Sequence, residues 1–288
     1  MTEAFGTTFS SPVLLAAGTC GFGEPLVEFV SPSEVGGLVT KSVTVEPRWG
    51  NPPPRVAEFA DGMLNSVGLA NPGVEAVRSE KLPWIRRMLG GLPVFVSVAG
   101  SAPDEYARVV SGLDGEDGFL GFELNLSCPN DSHLRGSASG LPFGLDLEAL
   151  AHLVELVRPL TERPLIVKLA PNDPEIARSA SRAVECGADG VTAVNTMPGS
   201  LPLGGDGPRL GAGSGGMSGP ALLPTALGAV ARVAAAVGVP VLGVGGILSA
   251  RDARAFLDAG ATMIQIGTAS FADPRSAAVV ARGLAELA

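Results

Sequence analysis

Histidine and cysteine are scarce in this chain, with two His and three Cys among 288 residues. His133 and His152 cannot build a His-rich zinc site. Cys20, Cys128 and Cys186 stand too far apart for an iron–sulfur cluster or a disulfide framework. Charge is sparse as well. Asp, Glu, Lys and Arg make up 17% of residues, and 20 basic against 29 acidic side chains leave a formal net charge of −9. That balance excludes a basic nucleic-acid binder or a protein drawn to anionic membranes. No apolar run reaches the ~18 residues that span a bilayer. The N-terminus, MTEAFGTTFSSPVLLAAG, lacks the basic region of a secretory signal. These absences predict a soluble, cytoplasmic protein.

Hydrophobic residues, by contrast, reach 46%, and the mean hydropathy is +0.33, which excludes intrinsic disorder. Glycine (39) and proline (24) are both abundant and follow no Gly-X-Y period, so they predict many tight turns. Eight short apolar runs recur along the chain: 13–17, 37–41, 94–98, 122–126, 165–169, 190–195, 239–244 and 263–267. Most are apolar throughout, as strands buried on both faces of a parallel sheet are. Helical patterns fall between them, clearest at 147–159, 173–186, 222–237, 249–259 and 275–288. Eight strand–helix units in a chain of this length predict a single-domain α/β (β/α)8 TIM barrel spanning residues 1–288, with a doubly wound open sheet as the alternative.

Three segments break the rhythm: 46–72, 128–143 and 196–219. Each follows a strand and is too long for a simple βα connection, so all three are expected as loops over the C-terminal face, where barrel enzymes keep their chemistry. Gly219 precedes a helical pattern, Gly245 and Gly246 follow the seventh run, and Gly267 and Thr268 follow the eighth. Glycines at strand ends before helix N-termini let backbone N–H groups close around a phosphate. Lys41 and Lys168 sit at the end of, and inside, apolar runs. Such a lysine either bridges carboxylates or sets a cation against an anionic or electron-rich ligand. Cys128 follows the fourth run at the start of a long segment, a position that suits access, whereas Cys20 and Cys186 read as buried fillers. Asn65, Asn125, Asn130 and Asn195 gather near the same mouth, where amides can read a planar polar ligand.

The stretches ELNLSCPN, TKSVTVEPRWGNPPPR, GMLNSVGLANPG, VKLAPN, AVNT, GGMSGP, VGGI and IGTASF resemble the class 1 dihydroorotate dehydrogenases, most closely the NAD-linked (class 1B) catalytic subunits. The resemblance runs from about residue 5 to 274. It implies a flavin-containing barrel that oxidises dihydroorotate to orotate in pyrimidine synthesis. By resemblance, Cys128 is the base that removes the C5 proton. Lys41, Asn65, Ser66, Val67, Gly68, Leu69, Asn125, Asn130, Asn195 and Thr196 would hold substrate. Ala17, Lys41, Ser42, Ser97, Asn125, Lys168, Val194, Gly219, Gly245, Gly246, Gly267 and Thr268 would hold FMN, with Lys168 facing N1/O2 of the flavin. Ser97 stands where relatives often carry Asn, and Ala17 where serine is common; each removes or shortens a flavin contact. The segment after Asn130 is longer than usual. The resemblance further implies a homodimer that passes electrons to NAD through an iron–sulfur flavoprotein subunit. A related flavin barrel acting on another dihydropyrimidine, and a non-redox phosphate-binding barrel, are the alternatives.

Overall fold

A computed structural model describes residues 1–126, 143–201 and 209–287. Eight parallel strands close into a barrel: Val13–Leu15, Gly37–Val39, Val94–Val98, Gly121–Asn125, Leu165–Leu169, Gly190–Ala193, Val241–Val244 and Met263–Ile266. They run around the barrel in chain order, and the eighth pairs with the first (Gln265 opposite Leu14), so the open-sheet alternative is excluded. Each strand overlaps one of the eight apolar runs, because a strand buried on both faces is apolar over most of its length.

Outward residues such as Val94, Val96, Leu124 and Val167 pack under the helical shell. Helices Leu147–Val157, Ile176–Glu185, Leu223–Ala236, Ala250–Asp258 and Ser276–Glu286 match the five clearest amphipathic stretches. Local chemistry fixes their starts. The Asp146 carboxylate accepts from the N–H groups of Glu148 and Ala149, and Ser249 and Asp252 form a reciprocal cap.

Inward residues form two layers. The lower is apolar: Leu14, Val39, Phe95, Ile166, Leu242 and Met263 form one buried cluster with Phe9. A hairpin of Thr2–Ala4 and Thr7–Phe9 closes the barrel floor there, with the Phe5 ring edge-on to Phe95 at 5.3 Å and Phe9 stacked on it at 6.5 Å. Above it lie Ser97, Glu123, Thr192 and Gln265, polar side chains that are fully buried.

The expected loops 46–72 and 196–219 require a correction. Both carry strands: Val56–Phe59, Gly62–Asn65, Met197–Gly199 and Gly215–Ser218 form a four-stranded antiparallel sheet beside the barrel mouth. Gly and Pro depress local strand propensity in these segments; Val56–Phe59 and Gly62–Asn65 form a local hairpin, and the pairing that joins the two segments links residues about 150 apart, as in Ser218 opposite Met63. Most of segment 128–143, with Cys128 and Asn130, lies outside the described residues.

Candidate active site

A cavity of about 250 Å³ opens at the C-terminal ends of the barrel strands. At one end the glycine segments converge. Gly219, Gly245 and Gly246 hold φ of 95°, 135° and 78°, values that L side chains rarely adopt. A Cβ on Gly246 would lie 2.9 Å from the Gly219 carbonyl oxygen and from the backbone nitrogen of Leu223, the first residue of the helix Leu223–Ala236. Only bare backbone lets the seventh-strand turn sit against that helix start, and Gly267 and Thr268 complete the wall. The result is a side-chain-free cradle at a helix N-terminus, which favours an anion.

The rest of the wall is built from amides and lysines. The Asn195 amide donates to Asn125 Oδ1 at 3.0 Å, and Asn125 in turn donates to the Ser42 hydroxyl at 3.3 Å. Asn195 Oδ1 accepts from the Thr196 N–H at 2.8 Å, and the Asn65 amide donates to the Gly216 carbonyl at 3.1 Å. Each amide is therefore oriented before any ligand arrives. Lys41, whose Nζ lies 3.6 Å from where a Cβ on Gly18 would stand, enters from the second strand. Among the described residues, the cavity is lined by two lysines and no carboxylate. It is an electropositive pocket, suited to an anionic ligand.

Of the two readings of a lysine in an apolar strand, the structure shows the carboxylate pairing of Lys168 and places the residue at the cavity. Its Nζ lines the cavity and also lies 3.4 Å from Oε1 of Glu123, with the two side chains 6% and 0% exposed. A lone buried ammonium would be prohibitively costly, so the carboxylate is its condition of burial.

Ala17, Ser42, Val67, Gly68, Leu69, Val194 and Thr196 also line the cavity. Gly68 and Leu69 have φ of 71° and 55°, and the Asn51 N–H and amide clamp this turn through Val67 O, Ser66 O and Ser66 Oγ. Ser66 and Ser97 are not in the wall. Ser66 is buried with its hydroxyl turned to Asn51, and Ser97 is buried behind Ser42, 2.9 Å from the Ser42 hydroxyl. Any contact of Ser97 with a ligand is therefore relayed by Ser42. Cys128 and Asn130 are outside the described residues.

Sequence reasoning missed Glu123, Gln265 and Asn51. The argument that singled out Lys168, a charge inside an apolar strand, applies equally to Glu123 and could have found it. Burial pushes the Cys20 thiol up to about 12, and burial with a hydrogen bond to Glu155 pushes Cys186 up to about 11, so both are inert fillers. No group of three metal-ligating side chains occurs among the described residues. No helix among them is long and apolar enough to cross a membrane.

A closed parallel barrel with a side-chain-free anion cradle and oriented amides at its C-terminal face belongs to the barrel enzymes. The chain belongs to the dihydroorotate dehydrogenase family, whose family model, Dihydroorotate dehydrogenase, matches residues 1–287. It is therefore an enzyme, an oxidoreductase, and its resemblance is to the NAD(+)-linked catalytic subunits. It is 41% identical to the dihydroorotate dehydrogenase B (NAD(+)) catalytic subunit of Geotalea uraniireducens (strain Rf4), over 98% of this chain and 90% of that protein. It is 42% identical to dihydroorotate dehydrogenase A (fumarate) of Limosilactobacillus reuteri (strain DSM 20016), over 98% and 91%. The fold matches a crystal structure of DHODH in complex with ferulenol from Eimeria tenella, with a TM-score of 0.82 at 24% identity over 99% of this chain and 83% of that one.

Proposed function

We propose that this chain is a single catalytic domain that oxidises dihydroorotate to orotate for de novo pyrimidine synthesis, with FMN as its cofactor. The observation that carries the reading is the wall itself: two lysines, no carboxylate among the described residues, and amides held in place by one another, by the Ser42 hydroxyl and by backbone groups.

The residues present fit FMN. The cradle of Gly219, Gly245, Gly246, Gly267 and Thr268 would take the phosphate, and a Cβ on the first three would strike neighbouring chain. Lys168 and the Asn125–Ser42 pair would face the polar ring. Gln265 borders the cavity, and its buried Oε1 has no hydrogen-bond partner, an orphaned acceptor that supports a donating ligand on that side. When bound, FMN supplies a two-electron acceptor for the hydride leaving C6 of the substrate.

The protein residues divide the remaining work. The Lys41 ammonium attracts the substrate carboxylate and gives its ring one approach. Asn65, Asn125, Asn195 and, by resemblance, Asn130 read the ring's amide edges, donating and accepting together. Cys128, three residues past the end of the fourth strand, takes the C5 proton as its thiolate. The left-handed turn at Gly68–Leu69 brings backbone groups into the same wall.

We further propose a homodimer of this chain, served by an iron–sulfur flavoprotein subunit that carries electrons to NAD. The relatives named catalytic subunits support this, as do Leu248 and Phe271, exposed apolar side chains at the cavity mouth. The likeness to a fumarate enzyme favours a second reading, in which a small soluble oxidant enters the same mouth. One assay separates them. Purified chain should be yellow, absorbing near ~450 nm, and reduce a dye with dihydroorotate but not NAD⁺. Rapid turnover with fumarate would establish the second reading. A colourless chain that takes up no FMN would overturn both.

A further inference from the structure

Glu123 lies one inward position below Asn125 on the fourth barrel strand and is fully buried. Three donors converge on it. Oε1 faces the Lys168 ammonium at 3.4 Å, while Oε2 accepts from the Thr192 hydroxyl at 2.8 Å and from the Gln265 amide at 2.9 Å. These side chains come from the fourth, fifth, sixth and eighth strands, so the cluster crosses the barrel interior. A carboxylate only accepts, so the Gln265 NH₂ must point at Glu123. That fixes the other end of the amide. Oε1 of Gln265 is left without a hydrogen-bond partner, itself buried in a side chain that borders the cavity.

We propose that Glu123 is a positioning residue: it holds the Lys168 ammonium and the Gln265 amide in place beneath the cofactor and sets how much positive charge the cavity floor presents. The inference rests on the reading of the cavity as an FMN site. Glu123 does not line the cavity; Lys168 and Gln265 do, and Glu123 acts through them. Its negative charge, 3.4 Å from the ammonium, opposes the field of Lys168 at the cavity. Reduction of the cofactor adds negative charge above that floor. Strengthening the floor's net positive charge therefore favours the reduced form, and weakening it favours the oxidised form.

The test measures the cofactor potential by spectroscopic titration, with thermal stability recorded beside it. Glu123→Gln keeps the shape and removes the charge, so the equilibrium constant for reduction should rise about tenfold, about 30 mV for a two-electron couple. Lys168→Met should move it the opposite way. Thr192→Val, nearly isosteric and outside the cavity wall, strips one donor from Oε2. It leaves the carboxylate charge less offset, so the constant should fall about threefold. Should Glu123→Gln fail to fold or to hold FMN, Thr192→Val decides alone. Lower thermal stability with an unchanged potential in Glu123→Gln and Thr192→Val, or in whichever of them folds, or a shift of opposite sign, would reduce Glu123 to a structural ion pair and overturn the inference. Wild-type protein that binds no FMN would instead defeat the cofactor reading, and this inference with it.

Discussion

The lower and upper halves of the barrel interior are made by the same strands and have opposite chemistry. Phe95 and Ser97, Ile166 and Lys168, Met263 and Gln265 are pairs two residues apart on one strand, each pair inward-facing by alternation. The lower member of each is apolar and packs on the floor hairpin; the upper is polar, with Lys168 and Gln265 bordering the cavity and Ser97 behind Ser42. One register thus supplies both. A step of two residues, about 6.6 Å along a strand, separates a layer that stabilises from a layer that binds. The helical shell shows the same division, with its apolar faces against the strands and one N-terminus turned to the cavity.

Changes in the two halves should separate cleanly. The largest effect is expected at the mouth. Cys128→Ala should slow dihydroorotate-driven flavin reduction by about 10²- to 10⁴-fold, the range for loss of a general base, and leave FMN content and melting temperature unchanged. Stopped-flow reduction followed near ~450 nm checks this, and near-wild-type reduction would remove Cys128 from the mechanism. The other two thiols sharpen the experiment. With Cys20 pushed to about 12 and Cys186 to about 11, alkylation at neutral pH should mark Cys128 alone, as peptide mapping would show.

Phe95→Ala should do the reverse. Removing the ring between Phe5 and Phe9 should lower stability by about 3–5 kcal/mol, read by denaturant unfolding, with the reduction rate per flavin-loaded molecule unchanged. A large loss of that rate would show that the two layers are coupled rather than independent.

The smallest effect belongs to the shell. Lys81 donates to Glu24 at 2.9 Å, between elements that follow the second and first strands. Burial pushes the Glu24 carboxyl up, but the Lys81 hydrogen bond and charge, with backbone N–H groups, outweigh it and hold it below the usual carboxylate range. A carboxyl depressed in the folded state contributes stability above its unfolded value, about 4.3, and loses it as pH falls through the folded one. Lys81→Met should therefore cost about 0.5 kcal/mol at pH 7 after solvent screening. That difference should close as the pH drops below about 4. A gap that persists in acid would mean the lysine acts through its packing over the Phe22 ring, 5.8 Å away.

The eight barrel strands, the five clearest helices, the glycine cradle, Lys41, Lys168 and the amides of the mouth were legible in the chain because their signals are local; the other site residues came through the family resemblance. A strand buried on both faces is mostly apolar, and a cradle of bare backbone must be glycine. The amino-acid sequence by itself determined the eight strand–helix units, the glycines of the cradle at Gly245 and Gly246, and the anomalous Lys168. Only the tertiary structure decided four things. It closed the sheet into a barrel by pairing the eighth strand with the first. It paired Gly62–Asn65 with Gly215–Ser218, because strand partners 150 residues apart leave no trace in local pattern. It turned Ser66 and Ser97 away from the cavity toward Asn51 and Ser42. And it gathered Glu123, Lys168, Thr192 and Gln265 from four strands into one buried cluster, because barrel closure alone sets which inward side chains meet.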